Sequence, residues 1–247
     1  MTRIAICIVD SHPMLYKEFA LSLVGVTSFF NQWAKRGEYV LDVLLAETGY
    51  IDDMRNCLAN KAVDEGYDYV FWMDSDMTFP ADCLPRMLAY CEKDDAEAVS
   101  GLYVHKKPPH MPHVYPKIDE ASGRFMMPVS FPLKEPFHID GAGFGCLLMK
   151  TSVFKRVERP YFRMEVTDGK VTKGEDLDFC KETRMKMLLD PTISCGHLSL
   201  GKYTIDDYLW YNDIEKDADG WVSPTPEQQK KITEKMGHLQ DGANMVK

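Results

Sequence analysis

Short apolar runs alternate with stretches of helical periodicity from the start of the chain. Residues 3 to 9 (Arg-Ile-Ala-Ile-Cys-Ile-Val) and 39 to 46 (Tyr-Val-Leu-Asp-Val-Leu-Leu-Ala) are rich in β-branched and aliphatic side chains, as strands covered on both faces require. Between them, residues 14 to 34 are compatible with a helix. After a turn at Gly49, Asp52 can cap a helix whose apolar residues Met54, Leu58, Ala59, Ala62 and Val63 recur at helical spacing until Gly66 ends it. Residues 68 to 73 (Asp-Tyr-Val-Phe-Trp-Met) predict another strand. A helix follows near Pro80, with Leu84, Met87, Leu88 and Cys91 on one face, and residues 97 to 104 predict a further strand. This order predicts an α/β domain with right-handed crossovers and a mostly parallel sheet. In such sheets ligands gather at the carboxyl ends of the strands.

The second half changes character. Residues 105 to 136 hold seven of the fourteen prolines, a density that excludes a helix or a central strand and predicts a long irregular loop suited to closing as a lid over a substrate. His105, His110 and His113 cluster there with Lys106 and Lys107. Because prolines make a rigid ligand shell hard to build, they read as loop histidines. Thr167-Asp168-Gly169-Lys170 reads as a hairpin turn, with nearby Arg163 exposed. From Gly201 onward the chain is polar, with Tyr203, Tyr208, Trp210, Tyr211 and Trp221 set among acidic residues, and these aromatics are expected to dock a tail. Residues 226 to 237 predict a solvated helix and the last ten a frayed end, so residues 1–200 form one domain and 201–247 a helical tail packed on it.

Composition narrows the class. With 247 residues and 45% hydrophobic content, a sizeable core is expected and disorder is excluded. The formal charge of −9 repels phosphate backbones and anionic lipid surfaces, which weighs against nucleic-acid binding. Seven cysteines without a repeating C-x-x-C spacing read as free thiols of a reducing, cytoplasmic compartment. Ile4 to Val9 is too short for a secretory core, and no window is apolar over the roughly 18 residues that a membrane span needs, so no stable membrane insertion is expected.

Candidate chemistry sits just past strand ends. Asp74, Ser75 and Asp76 follow the most apolar strand, and two carboxylates at such a mouth suit Mg²⁺ or Mn²⁺ with bound phosphates. A bare Asp-x-Asp is also a common solvated turn, but unpaired charges at the end of a buried strand are costly. Arg55 and Asn56 lie near a helix start, where an arginine makes sense beside an anion such as a nucleotide phosphate; the competing reading is an ion pair with Asp52 or Asp53. Gly141, Gly143 and Gly145 clear one side of an extended run for a ligand or another strand. Gly174, Glu175, Asp176 and Asp178 open a helical stretch with Leu177, Cys180 and Met187, where a carboxylate can be a general base or simply answer the helix dipole. His197, after a short apolar extension, makes a mixed site for Mn²⁺ with the two aspartates, although a single histidine is more often structural.

In this order, over roughly residues 3 to 200, these elements resemble the inverting, family-2-like branch of the GT-A-fold glycosyltransferases, which use nucleotide-sugar donors. The resemblance implies that Asp74 and Asp76 hold Mn²⁺ or Mg²⁺ and the donor's ribose-diphosphate, with Ser75 between them, and that His197 completes the metal shell. It implies that Asp10 reads the nucleotide base, that Arg55 and Asn56 contact the donor, and that the loop from Gly141 through Gly143 to Gly145 lines donor sugar and acceptor. Asp176 is then the catalytic base, and its neighbour Glu175 orients the acceptor. The donor implied is foremost a UDP-sugar. The acceptor hydroxyl is left open among a glycan, a protein, a lipid carrier, a small metabolite and a modified DNA base. Two rivals stand beside this reading. A nucleotidyltransferase would call for a glycine-rich loop with a basic residue after the first strand, which Asp10-Ser11-His12-Pro13 lacks; a non-catalytic nucleotide-sugar or glycan-binding module would have lost turnover.

Overall fold

Seven strands form the central sheet: β1 (Thr2–Val9), β2 (Tyr39–Ala46), β3 (Tyr69–Asp74), β4 (Ala98–Leu102), β5 (Phe137–Ile139), β6 (Cys146–Lys150) and β7 (Met187–Ser194). The computed structural model describes residues 1–10, 14–128, 130–168 and 170–242. Ser11, His12 and Pro13, the turn residue Gly169 and the extreme end of the tail lie outside the described residues. The sheet order is β5-β7-β4-β6-β3-β1-β2. Parallel pairing joins β1 to β2, β1 to β3 and β4 to β7, while β6 runs antiparallel between β3 and β4 and β5 antiparallel beside β7. The strand predicted after the third therefore does not pair with it, because β6 inserts between them.

Period-two alternation distributes the strands over two core layers. From β1, Ala5, Cys7 and Val9 face one layer with Leu58 and Ala62 of α2 (Ile51–Asp64). Ile4, Ile6 and Ile8 face the other, with Phe19 and Phe30 of α1 (Lys17–Trp33) and Leu84 and Leu88 of α3 (Cys83–Lys93). In β3, Trp72 and Phe71 divide the same way and both are fully buried. Each such side chain contributes about 1.5–3 kcal/mol of transfer free energy. β2 departs from the two-faced expectation: it is the edge strand, and Leu44 is buried while Val43 and Leu45 are exposed.

Three boundaries also differ. α2 begins at Ile51 behind Tyr50, so Asp52 lies in the first turn rather than at the cap. Pro80 precedes α3 by a turn, its carbonyl accepting from the Cys83 N–H. α4 (Glu175–Thr183) ends before Met187, which belongs to β7; the left-handed Arg184 stops the helix.

The proline-rich segment is not wholly irregular. Val114–Tyr115 pairs with Gly141–Ala142, Lys117–Asp119 with Arg124–Met126, and Phe131–Pro132 with Trp221–Val222. Pairings of two or three residues between prolines leave no periodic signature. The expected hairpin joins Glu165–Thr167 to Lys170–Lys173, and Arg163 is exposed. In the tail, α5 (Ile205–Tyr211) buries Tyr208 against the α2-side layer, whereas Trp210 is 82% exposed. α6 (Pro226–Gly242) follows.

Candidate active site

Strand register brings the polar residues to one edge. Asp74 pairs with Val9, so Asp10 and Ser75 meet just beyond the strand ends, and the Ser75 Oγ donates to Asp10 Oδ1 at 2.9 Å. The short strand Met77–Thr78 pairs with Gly196–Leu198, setting His197 opposite Met77, and the Leu198 N–H donates to the Asp76 carbonyl at 2.7 Å. Asp76 and His197, 121 positions apart in sequence by subtraction of their numbers, become neighbours through this pairing. His197 Nε2 stands 3.6 Å from Asp76 Oδ1, and its Nδ1 lies 2.7 Å from the Val104 carbonyl. A backbone carbonyl on one ring nitrogen fixes the imidazole's orientation and leaves the other nitrogen for the site.

Arg55 joins the two halves. It is 2% exposed; its Nε donates to Glu175 Oε1 at 3.0 Å and its Nη2 to Asp74 Oδ1 at 3.1 Å, with the guanidinium 5.3 Å from the Trp72 ring centroid and 5.5 Å from that of Phe144. Burial works against its charge, but Asp74, Glu175 and Asp176 outweigh it and hold Arg55 ionised. Its Nη1 is buried with no partner among the described residues. The carboxylates expected from local charge, Asp52 and Asp53, are not its partners. Asn56 is structural: its amide donates to the Phe162 carbonyl at 2.8 Å and accepts from the Phe162 N–H at 2.9 Å.

The carboxylates are tuned apart. Burial raises Asp74, moderated by Arg55. Burial opposes the charge of Asp76 too, but His197 and Lys106 outweigh it and hold its carboxyl at about 2. Asp176, in the first turn of α4, accepts from the Leu177 N–H at 2.7 Å, yet burial and Glu175 push it up to about 7. Separated pKa values among neighbouring carboxyls are how one site carries both a charge anchor and a proton acceptor.

The glycine run is filled from within the chain. A Cβ on Gly143 would sit 2.2 Å from the Tyr103 hydroxyl, one on Gly141 2.4 Å from the Phe125 ring, and one on Gly145 3.1 Å from Asp74 Oδ2. The Tyr103 hydroxyl accepts from the Gly145 N–H at 3.1 Å.

Four residues given no site role by the sequence belong here: Tyr103, His105, Lys106 and His113. The loop-histidine reading fails because the segment folds back on the strand ends: His113 stacks on Tyr103 at 4.9 Å and lies 3.5 Å from His105, centroid to centroid. Burial lowers His105 to about 4 and holds His113 well below the usual range. His110 is buried and stacked on Tyr203. The only signal in the sequence was their clustering with two lysines. Lys106 donates its ammonium to Asp76 Oδ2.

The donor chemistry fits a hard divalent ion. Asp76 and His197 face one another beyond hydrogen-bond length, and Asp74 offers Oδ2 on the side that Gly145 leaves clear. Magnesium-type sites commonly use one or two carboxylates and complete their shell with substrate phosphates and water. Among the described residues no three of His, Cys, Asp and Glu converge into a finished shell: Asp74 Oδ1 is engaged by Arg55, and Asp76 Oδ2 by Lys106.

Residues 50–157 match the family model described as Glycosyl transferase family 2. With the sheet order and strand-end site above, this match supports a glycosyltransferase of the GT-A fold. Among solved structures, A197 from STIV shares the fold, with a TM-score of 0.55 at 14% identity over 81% of this chain and 86% of its own. Fainter likenesses are to GalNAc-T7, solved with UDP, GalNAc and Mn2+ (TM-score 0.49, 11% identity, 88% of this chain, 48% of that one). Another is to the catalytic domain of Drosophila beta1,4galactosyltransferase 7 in complex with xylobiose (TM-score 0.46, 15% identity, 81% of this chain, 71% of that one). No curated protein matches the chain. Among the described residues, no helix is long and apolar enough to cross a membrane.

Proposed function

We propose that this glycosyltransferase moves a sugar from a nucleotide-sugar donor, a UDP-sugar first, to an acceptor hydroxyl in one inverting displacement, with Asp176 as base. The observation that carries the reading is Arg55, whose buried guanidinium ties Asp74 at the end of β3 to Glu175 beside Asp176. One charge network thus links the carboxylates suited to a diphosphate with the one suited to a proton. Asp74, Asp76 and His197 would hold Mn²⁺ or Mg²⁺, which supplies Lewis-acid stabilisation of the departing diphosphate. Asp10, oriented by Ser75, is the candidate for the nucleotide end.

Asp176 takes the proton of the attacking hydroxyl as its oxygen bonds to the anomeric carbon. The bond from that carbon to the diphosphate oxygen breaks with its electron pair on the phosphate. A base titrating near neutrality is matched to this task. Glu175 orients through Arg55, and the glycine run shapes the site through Tyr103 and Asp74 rather than by lining the donor alone.

The test pairs two variants in a thermal-shift and transfer assay with UDP- and GDP-sugars, with and without Mn²⁺. Asp76→Ala is expected to lose Mn²⁺-dependent donor binding. Asp176→Asn is expected to keep donor binding and lose about 10²- to 10⁴-fold in transfer. Equal loss of binding and transfer in Asp176→Asn would make that residue structural, and retained activity in Asp76→Ala would remove the metal assignment.

A further inference from the structure

Lys106 neutralises the carboxylate on which the proposed metal site depends. Its ammonium sits on Asp76 Oδ2, while His197 faces the other carboxylate oxygen at 3.6 Å. Asp76 is 16% exposed, so two cations cannot share it without strong repulsion. Asp76 and His197 would hold a divalent ion once the ammonium has moved off Asp76 Oδ2.

The backbone beneath Lys106 is fixed. Val104 bridges Pro112, the His105 N–H donates to the Met111 carbonyl at 2.8 Å, and the His110 N–H donates to the Lys107 carbonyl at 2.9 Å. Packing of His105 against His113 closes the hairpin on itself, and the hydrogen bond from Asn212 Nδ2 to the Pro109 carbonyl at 2.9 Å holds it to the tail. The four-carbon stem of Lys106, with its side chain 31% exposed, can swing on this fixed backbone. Once released, the ammonium remains within reach of whatever anion the ion also binds.

Resting on the glycosyl-transfer reading, we propose that Lys106 is a second cation of the donor site: it holds Asp76 before the ion binds, then contacts the donor's diphosphate. When the anomeric carbon–oxygen bond breaks, the electron pair stays on the phosphate, and Lys106 neutralises part of that oxyanion's charge, beside whatever share a divalent ion held by Asp76 and His197 would supply. The acceptor oxygen forms the new bond and its proton passes to Asp176. A compact ammonium on a mobile stem suits phosphate as a point charge.

Isothermal titration separates the two roles in wild type, Lys106→Met and Lys106→Arg. Without nucleotide, Lys106→Met is expected to bind Mn²⁺ about tenfold more tightly, since the competing ammonium is gone. With saturating Mn²⁺, it is expected to bind UDP, or GDP if that is the nucleotide taken, about tenfold or more weakly, while Lys106→Arg stays near wild type. Unchanged nucleotide affinity in Lys106→Met overturns the inference and leaves the transfer reading standing. A wild-type protein that binds neither Mn²⁺ nor either nucleotide overturns both.

Discussion

Arg55 pairs two carboxylates on one buried guanidinium, and removing it would strand Asp74 and Glu175 with unpaired charge. Breaking such a pair costs about 3–5 kcal/mol, so Arg55→Met is expected to shift the urea midpoint by that much stability. A loss below about 1 kcal/mol would mean that the carboxylates find other partners. Asp176 gives the opposite sign. Its folded carboxyl binds a proton up to about 7 against an ordinary 3.8, so the native state holds more protons than the unfolded one across that window. The stability tied to that proton is fully present below 3.8 and is lost as pH rises to about 7. Asp176→Asn removes this loss. Its melting temperature should rise relative to wild type across the window and level off above it; a constant difference at every pH would show that the carboxyl does not titrate there.

At the scale of elements, the segment leading into β6 matters as much as the strands it joins. Gly143 is small because Tyr103, leaving β4, pushes its hydroxyl to within 2.2 Å of where a Cβ would stand. Gly143→Ala is therefore expected to cost about 1–3 kcal/mol by overpacking. Tyr103→Phe removes the clashing oxygen but leaves the Gly145 N–H without its acceptor. The double variant should be less destabilised than the sum of the two singles, which a double-mutant cycle by denaturant unfolding measures. Additive losses would show that the hydroxyl and the glycine do not meet.

Across the whole molecule, the tail and the proline-rich segment support one another. Tyr208 is 1% exposed in the same core layer as Val104, Met111 and Val114, and Asn212 bonds to the Pro109 carbonyl. Tyr208→Ala is expected to cost about 3–5 kcal/mol, as other large-to-small aromatic changes do. Because Lys106 stands on the hairpin that this tail holds, the variant should also lose hydrogen-exchange protection at residues 104–113. Unchanged protection there would uncouple the tail from the site.

Much of this was legible in the chain itself. Period-two and helical spacings are local properties, so β1, β3 and the apolar face of α3 follow from them, as does the gathering of Asp10, Asp74 and Asp76 at strand ends. Charge, by contrast, acts through space. Arg55 stands beside Asp52 and Asp53 in sequence, yet its partners lie 19 and 120 positions away, reachable only once β3 and α4 are set side by side. Asn56 proved to be a bracket for Phe162, and the glycine run to be space for Tyr103, because close approach between segments has no signature in either segment alone. The antiparallel insertion of β6, the burial of His105 and His113, and the ammonium of Lys106 on Asp76 were decided the same way, by which surfaces the folded chain brings into contact.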